Sequence, residues 1–323
     1  MTESMIRPFC NVDLPRLVDV WIQHWSCIGI SPPVSMATIE QAILARTFFD
    51  PNNLIVAESE GEVRAWCHFA VDGTGSEKAG SEKAGRIRSI CFSPDGGLDV
   101  CDSLLTAVER AIGSLGAEIV TVGLVRDGHD GYAGLPPIGH GIGIPAADSR
   151  TSSLLSRRSY NRDHSISRMV VNTSPYRPPV SRDALQLRRT TRIESHRRIP
   201  TEPRLASAMS HFDIERHQTI DHRTDEILSM IEFWSSDVEA QVMNCDNAIL
   251  DLSLLKQPDQ LSIAESYLIG SVIQRMADRR VYTVETAVDS SQQTLIRQLE
   301  ALQFRNFEQG YQWTKKVPLD EKP

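Results

Sequence analysis

Residues 87–116 read IRSICFSPDGGLDVCDSLLTAVERAIGSLG, and the order of elements in this stretch decides the fold class. The apolar run IRSICF predicts a strand, the turn behind it holds two glycines, and the following residues have helical periodicity. A helix that starts directly after a strand and a glycine turn presents backbone N–H groups that commonly bind phosphate. The turn also carries three aspartates, Asp95, Asp99 and Asp102. The stretch therefore predicts either a phosphate cradle or a helix start that is capped by a carboxylate.

These two interpretations place different groups on the same backbone N–H donors. As an N-cap, Asp99 or Asp102 would stabilise the helix by about 1 kcal/mol and would repel a diphosphate. Gly96 and Gly97 instead allow the backbone to approach a diphosphate closely. The residue pattern leaves both interpretations open.

Strands and helices alternate in the same order in both halves of the chain. In the first half, DLPRLVDVWIQHW and DSRTSSLLSRRSY predict helices, and NLIVAES and GEVRAWCHFAV predict strands joined at Glu60-Gly61. In the second half, LQLRRTTRIE, NAILDLSLL and VYTVETAV predict strands, whereas LSIAESYLIGSVIQRMADRR and SQQTLIRQLEALQ predict helices. We therefore predict an α/β (α+β) protein with an N-terminal domain over 1–172, a proline-rich linker over 173–182 and a C-terminal domain over 183–323.

Composition limits the classes of protein and partner. The 323 residues are 41% hydrophobic and 24% charged, which is typical of a globular protein. The net charge of −8 argues against nucleic acid as the main partner, and no run of 18 apolar residues predicts a membrane span. The N-terminus lacks a secretory pattern, no cysteines form a CxxC pair, and the histidine spacing matches no metal motif. We expect a cytoplasmic protein with reduced thiols, no membrane partner and no metal; the oligomeric state is not predicted.

The elements resemble the GNAT superfamily of acyltransferases, which transfer acyl groups from coenzyme A, usually to amines. In the first half the resemblance runs from MIRPFCNVDLPRLVDVW to SISRMVV, and in the second half from NAILDLSLL to GYQW. The chain thus looks like a tandem pair of divergent GNAT-like domains. The resemblance implies two units, each with a mixed, mostly antiparallel central sheet flanked by helices, and acetyl-CoA as the cosubstrate.

The family's phosphate turn reads Q/R-x-x-G-x-G/A, and the helix phrase SLLTAVE places this motif on residues 96–101. Gly96 stands where the family has Gln or Arg, and Asp99 and Cys101 stand where it has its two glycines. The resemblance assigns the cofactor to the end of the strand and to the turn, that is, to Ile90, Cys91, Phe92, Gly96, Gly97, Leu98, Asp99, Val100 and Cys101.

In the second half the same motif falls on residues 260–265. Gln260 fits the pattern, but Ile263 and Glu265 replace the two glycines. A β-branched residue resists the backbone conformations that glycine adopts, and Glu265 places a carboxylate in the first helical turn. This turn is therefore interpreted as a loop that caps a helix, so any coenzyme A is expected in the first half.

A later helix of the family reads L-Y-E-K-x-G-F, and its tyrosine often protonates the departing thiolate. In this chain Leu155 and Leu299 stand at the tyrosine position of the two halves. Ser159 and Gln303 stand at the glycine position. The resemblance therefore implies the architecture of the family without its usual proton donor.

Two regions supply other candidates for proton transfer. The Gly/Pro-rich segment 126–147 would border the acceptor cleft in a GNAT-like fold, and it contains His129, Tyr132 and His140. The alternative for this segment is a mobile surface loop without chemistry. Glu285 lies in the apolar strand VYTVETAV, where a carboxylate must be paired or face a cleft. The predicted catalytic residues are therefore Tyr132, His140 and Glu285, with Glu285 as a general base.

Two functions remain open from the sequence. The first is an N-acetyltransferase in which a small-molecule or peptide amine attacks the thioester of acetyl-CoA directly. In it the strand-edge backbone of residues 89–92 would orient the pantetheine arm, and the N–H groups of residues 96–101 would hold the diphosphate. The second is a catalytically inactive GNAT-like scaffold or ligand-sensing pseudoenzyme.

Overall fold

The chain forms two compact units, described here from a computed structural model that covers residues 4–71, 83–125, 131–236, 242 and 246–316. Unit 1 consists of Met1–Ser165 together with Gly310–Pro323, and unit 2 consists of Ile166–Gln309. Each unit has a mixed, mostly antiparallel sheet with helices packed on it, which confirms the predicted fold class.

The sheet of unit 1 has the strand order β1-β2-β3-β4-β5-β13, and the short β6 also pairs with β13. Neighbouring strands are antiparallel except for β4 and β5, which are parallel. The helices and strands of the unit are β1 (Met5–Pro8), α1 (Leu14–Ser26), α2 (Met36–Ile39), β2 (Leu54–Ser59), β3 (Glu62–Val71), β4 (Ala84–Phe92), α3 (Leu98–Ser114), β5 (Ile119–Val122), β6 (Ile144–Pro145), α4 (Ser149–Arg157), the start of β7 (Asn161–Asn172) and the end of β13 (Arg305–Lys316).

The core of unit 1 follows from the periodicity of its helices. α3 buries Leu104, Leu105 and Val108 in an apolar cluster with strands β2 to β5. The predicted tight turn between β2 and β3 is also present, because Glu60 and Gly61 have φ angles of 56° and 77°. Such paired positive φ angles match the right-handed twist of a two-residue hairpin.

The sheet of unit 2 has the strand order β7-β12-β11-β10-β9-β8, and β11 and β12 are its parallel pair. As in unit 1, a helix connects the two parallel strands along the chain. Its further helices and strands are α5 (Arg182–Thr190), β8 (Thr191–Arg197), α6 (Pro203–Ala208), β9 (Phe212–Asp221), β10 (Ile227–Ser236), β11 (Asn247–Asp251), α7 (Ile263–Met276), β12 (Thr283–Asp289) and α8 (Gln293–Ala301).

The segment expected to be a linker, 173–182, packs within unit 2. The hydroxyl of Thr173 donates to the carbonyl of Val281 at 2.6 Å, and the buried Tyr176 donates to the carbonyl of Leu302 at 3.3 Å. The strand predicted for LQLRRTTRIE is wrong in its first part, because these residues form α5 before β8 begins. Ser181 caps α5 by accepting from the N–H of Ala184, which starts a helix despite the β-branched residues that follow.

The compact units divide the chain differently from the sequence-based boundaries. Unit 2 begins inside β7, and the last strand, β13, contributes its residues from Gly310 onward to unit 1. There Trp313 pairs with Val122 of β5 and is buried in the core of unit 1. The C-terminal strand therefore completes the sheet of the first unit.

Within the part of the chain that the structure describes, every helix is too short or too polar to span a bilayer.

Candidate functional site

The parallel strands of unit 1 part halfway along β4. They pair from Ala84 and Ile119 to Ile87 and Val122, and the N–H of Gly123 still donates to the carbonyl of Ile87 at 3.3 Å. Beyond this point β4 continues to Phe92 with no β5 residue in register among the described ones. Gly123 has a φ of 94°, so the chain after β5 turns away from β4. The parting leaves the end of β4 without a parallel strand partner among the described residues, directly before the turn that leads into α3.

The helix that follows this strand, α3, begins without a side-chain cap. Gly97 is its N-cap, and no side chain of the described residues accepts from its first turn. The N–H of Gly96 donates to Ser93, and the N–H groups of Val100 and Cys101 donate to the carbonyl of Gly97. The N–H groups of residues 97, 98 and 99 therefore remain available at the positive end of the helix dipole.

The aspartates of the turn do not occupy these donors. Asp99 lies exposed in the first turn of α3, and Asp102 lies one turn further on, where its carboxylate accepts from Arg157 at 2.7 Å. The interpretation of Asp99 or Asp102 as an N-cap is therefore wrong. Because the helix starts at Leu98, both residues come too late in it to accept from its first N–H groups.

The remaining residues assigned to the cofactor differ in accessibility. Leu98 is exposed on the first turn, Val100 is half-buried, and Cys101 packs in the core, where burial raises the pKa of its thiol to about 11. Ile90 and Cys91 on β4 are buried, and burial raises the pKa of the Cys91 thiol well above its usual value. Cys101 and Cys91 are therefore thiols of the core and not nucleophiles at neutral pH.

A buried histidine of α1 contacts the predicted pantetheine edge. The N–H of Phe92 donates to Nδ1 of His24 at 3.3 Å, and Nε2 of His24 lies 3.2 Å from Oδ2 of Asp148. Because Nδ1 accepts, Nε2 carries the proton and donates to the carboxylate. Burial would raise the pKa of Asp148, but the hydrogen bond from His24 and the bonds from Thr151 leave it below the usual value. One of the backbone donors assigned to pantetheine is thus already paired.

The Gly/Pro-rich segment is largely buried, so its interpretation as a mobile surface loop is wrong for residues 131–145. Its glycines allow backbone to pack on backbone, because a Cβ on Gly139 would collide with the carbonyl oxygen of Tyr132. The ring of Tyr132 is fully buried, and its hydroxyl lies 2.8 Å from Nδ1 of His68 on β3. His140 is half-buried at the end of a short 3-10 helix, and His129 lies outside the described residues.

His68 was not predicted from the sequence, because nothing in GEVRAWCHFAV marks a partner for Tyr132. Burial, with a smaller contribution from the charge of Arg88, holds the pKa of His68 well below its usual value. The imidazole is therefore neutral at pH 7 and able to exchange a hydrogen bond with the hydroxyl of Tyr132 in either direction.

The third catalytic candidate, Glu285, lies in unit 2. Nε and Nη2 of Arg168 donate to its Oε2 at 2.8 and 2.6 Å, and both side chains are largely buried. Of the two alternatives that the sequence allows, the carboxylate is paired. Tyr132 and His140 belong to one segment of unit 1, so the structure does not place the three candidates in one unit.

The corresponding helix start in unit 2 is occupied by the chain itself. Ser262 caps α7 by accepting from the N–H of Glu265 at 3.2 Å, and Oε2 of Glu265 accepts from the N–H of Ser262 at 2.7 Å. Oε1 of the same carboxylate accepts from the N–H of Lys256 at 2.9 Å. The predicted capping role of this turn is confirmed, since two donors at the helix start are satisfied within the chain.

The positions matched to the family's later helix have the same geometry in both units. Ser159 and Gln303 have φ angles of 62° and 70°, the left-handed conformation that favours glycine. The backbone N–H of the residue after each of them donates to the carbonyl of the leucine at the tyrosine position. Tyr160 donates to Leu155 and Phe304 donates to Leu299, both at 3.0 Å. Both leucines are buried in the cores. The tyrosine positions therefore hold core side chains without an acidic proton.

The likeness to solved structures extends over nearly the whole chain. A tandem GNAT protein from the clavulanic acid biosynthesis pathway is 13% identical with a TM-score of 0.67, and the alignment covers 98% of this chain and 100% of that one. A GCN5-related N-acetyltransferase from Sphaerobacter thermophilus is 12% identical with a TM-score of 0.63, covering 97% and 95%. No protein-family model matches the sequence, and neither does any curated protein. The parting parallel strands, the helices behind them and this likeness together show that the chain has the fold of the GCN5-related N-acetyltransferases.

Proposed function

We propose that the protein is an N-acetyltransferase that holds acetyl-CoA in unit 1 and transfers the acetyl group to an amine of a small molecule or peptide. The fold supports an acetyltransferase in general. The finer assignment rests on one observation, the contrast between the two helix starts. At α3 the N–H groups of residues 97–99 lack a side-chain cap, whereas at α7 the side chains of Ser262 and Glu265 form a capping box that takes up the N–H groups of these same two residues.

This contrast favours a diphosphate in unit 1 for two reasons. A diphosphate needs several N–H donors at once, and residues 97–99 present them where the edge of β4 is unpaired. In unit 2 the carboxylate of Glu265 is buried at the helix start and would repel an anion at close range. Asp99 adds a like charge in unit 1, but its side chain is exposed and screened by solvent.

The reaction would be a direct transfer. The amine nitrogen forms a bond to the thioester carbon, the carbon–sulfur bond breaks, the amine loses a proton and the thiolate of coenzyme A gains one. Tyr132 and His68 share a hydrogen bond that lets one hydroxyl proton move between oxygen and nitrogen. We assign proton transfer to Tyr132, with His68 as its positioning partner.

A second function, an inactive ligand-binding relative, is favoured by a separate observation. Ile90, Cys91 and Phe92 are at most 3% exposed, so the predicted pantetheine edge is closed to water. In addition, leucines stand at both tyrosine positions. The coenzyme could then bind through its diphosphate without a thioester reaching an amine.

Two measurements on the full chain separate these functions. Calorimetry with acetyl-CoA measures binding, and a thiol reagent measures coenzyme A release in the presence of a panel of amines. Saturable binding with thiol release supports the transferase, binding without release supports the inactive relative, and no binding overturns the assignment of coenzyme A.

A pair of matched variants tests the proton-transfer assignment. Tyr132→Phe should lower kcat at least tenfold without weakening acetyl-CoA binding. Tyr160→Phe removes a second buried hydroxyl of unit 1, which donates to Glu109 at 2.9 Å, and should leave kcat unchanged. Equal losses in both variants would show that Tyr132 acts only through the packing of the unit.

A further inference from the structure

Unit 2 contains a groove between α5 and α7 that is large enough for a small molecule. Its volume is about 530 Å³, within the range of ligand sites. Its walls come from the segment 178–181, from α5, from the outer face of α7 and from α8. None of the lining residues belongs to β11 or β12, so the groove lies outside the parallel strand pair of this unit, and Leu261 and Ile263 of its lining belong to the turn at the start of α7.

The floor of the groove is fixed by hydrogen bonds and close packing. The side-chain amide of Gln298 both accepts from the N–H of Leu261 at 2.6 Å and donates to its carbonyl at 2.9 Å. Pro178 packs so closely on α7 that a Cβ on Gly270 would lie 3.0 Å from its Cβ. The groove is therefore preformed and does not depend on a mobile loop.

The walls combine exposed apolar side chains with unpaired cations. Val180, Leu185 and Ile263 are 81%, 46% and 58% exposed, and all three line the groove. Clustered exposed apolar side chains are a common sign of a binding surface. Arg188 and Arg275 also line it, and among the described residues neither guanidinium has an ion-pair partner.

Three arginines elsewhere in this unit are paired with glutamates of its sheet. Arg168 is bound to Glu285, Arg216 to Glu232 and Arg279 to Glu215. Among the described residues the two arginines of the groove have no such partner, and they are cations in a chain whose net charge is −8.

The groove contains one carboxylate, Asp183, in the first turn of α5. Arg188 follows five residues later, which places it about 7.5 Å further along the helix axis. A negative group in the groove is therefore repelled at one end of α5 and attracted at the other. This polarity sets the orientation of an anionic ligand, with its apolar body on Leu185 and Ile263.

We infer that this groove is a second binding site, which takes a small organic anion with an apolar body and one carboxylate or phosphate head group. The guanidinium groups of Arg188 and Arg275 bind the head group by charge-assisted hydrogen bonds. The site is independent of acetyl-CoA and would allow a metabolite of this class to occupy unit 2 while unit 1 holds the cosubstrate.

Calorimetry on the full chain with two probes of equal length, octanoate and octanamide, tests the inference. Octanoate should bind at one saturable site at least tenfold more tightly than the neutral octanamide. The double variant Arg188→Gln, Arg275→Gln should bring the two affinities within threefold of each other, whereas Asp183→Asn should tighten octanoate binding. The matched control is Arg189→Gln, which removes a neighbouring arginine of α5 outside the groove and should change nothing.

Three results would overturn the inference. They are equal affinity for both probes, tight octanoate binding that survives the double variant, and competitive displacement of octanoate by coenzyme A. The last result would assign the groove to the cosubstrate. Circular dichroism of each variant verifies that α5 and the sheet are intact.

Discussion

The start of α3 allows a substitution that should move stability and ligand affinity in opposite directions. Gly97 has φ −58° and ψ 158°, which any residue adopts, and a Cβ at this position would have no atom within 4 Å. Gly97→Asp therefore introduces a side chain without strain. Its carboxylate can accept from the N–H groups of the first turn, as Ser181 and Ser262 do at α5 and α7.

The effect on stability follows from the new cap. Aspartate is better than glycine as an N-cap by a few tenths of a kcal/mol, and a negative charge at a helix start adds about 0.3–1 kcal/mol. The free energy of unfolding of the Gly97→Asp protein should therefore be equal to or slightly above that of the wild type. Urea denaturation followed by tryptophan fluorescence measures it.

The effect on acetyl-CoA has the opposite sign. A carboxylate about 5 Å from a phosphate charge repels it by about 3 kcal/mol at an effective dielectric of 20 and by about 0.8 kcal/mol in water. Because Gly97 is exposed, the repulsion lies between these limits, and the dissociation constant should rise by about 4- to 140-fold.

Gly97→Asn is the matched control, since it has the same shape and caps without charge. It should weaken binding less than Gly97→Asp does, and the difference should shrink at high salt. If Gly97→Asp raises the stability of the protein and binds acetyl-CoA as tightly as the wild type, the diphosphate does not lie at this helix start. The assignment of coenzyme A to α3 would then be refuted.

Three further predictions concern the stability of the units. Ser159→Gly should raise the free energy of unfolding by about 1 kcal/mol, because Ser159 has a left-handed φ of 62°. The control Ser156→Gly, inside α4, should lower the free energy of unfolding. A urea titration that ranks the two variants in the opposite order contradicts the cap geometry. Trp313→Ala should cost about 3–5 kcal/mol because the ring is 2% exposed in the core of unit 1, and calorimetric unfolding in which only unit 2 is destabilised would contradict this. Burial lowers the pKa of His217 to about 4 in the folded protein, against about 6.5 when unfolded, so the unfolded chain binds more protons between these values. Stability should be intact above pH 6.5 and fall by about 1.4 kcal/mol per pH unit below it, with a shallower slope in His217→Gln; equal slopes would show that another group titrates.

Much of the architecture could be predicted from local patterns. Periodicity identified α1, α3 and α7, and the family pattern placed Ser159 and Gln303 at its glycine position, where the structure shows both in a left-handed conformation. These features depend on a few neighbouring residues, so a short stretch of sequence contains the information that determines them.

The features that the sequence did not predict depend on distant contacts. Glycines and prolines occur in mobile loops and also in buried segments where backbone packs on backbone, as Gly143 does on Tyr311. Whether such a segment is mobile or buried depends on the residues that pack against it, and these residues lie far away in the sequence. The same applies to His24 and His68, whose roles come from Phe92 and Tyr132.

The start of α3 shows a second limit of prediction from the sequence. The residue types of Gly97, Asp99 and Asp102 all allow them to be the N-cap of a helix. The structure has Gly97 as the N-cap, because β4 ends at Phe92 and the helix begins soon after it. The carboxylate of Asp99, two residues after Gly97, is not in the N-cap position and leaves the first N–H groups of α3 uncapped. A shift of two residues therefore separates a blocked helix start from an available one.

The return of the last strand to unit 1 has a consequence for how the protein is made. Residues 310–316 leave the ribosome after all of unit 2, so the sheet of unit 1 lacks the strand that pairs with β5 throughout most of synthesis. Until then the apolar cluster of unit 1, which contains Val120 and Val122 of β5, lacks the buried ring of Trp313. Unit 2 can complete its sheet first, although its residues are translated second. The unit that is translated first is therefore the one that completes its sheet last.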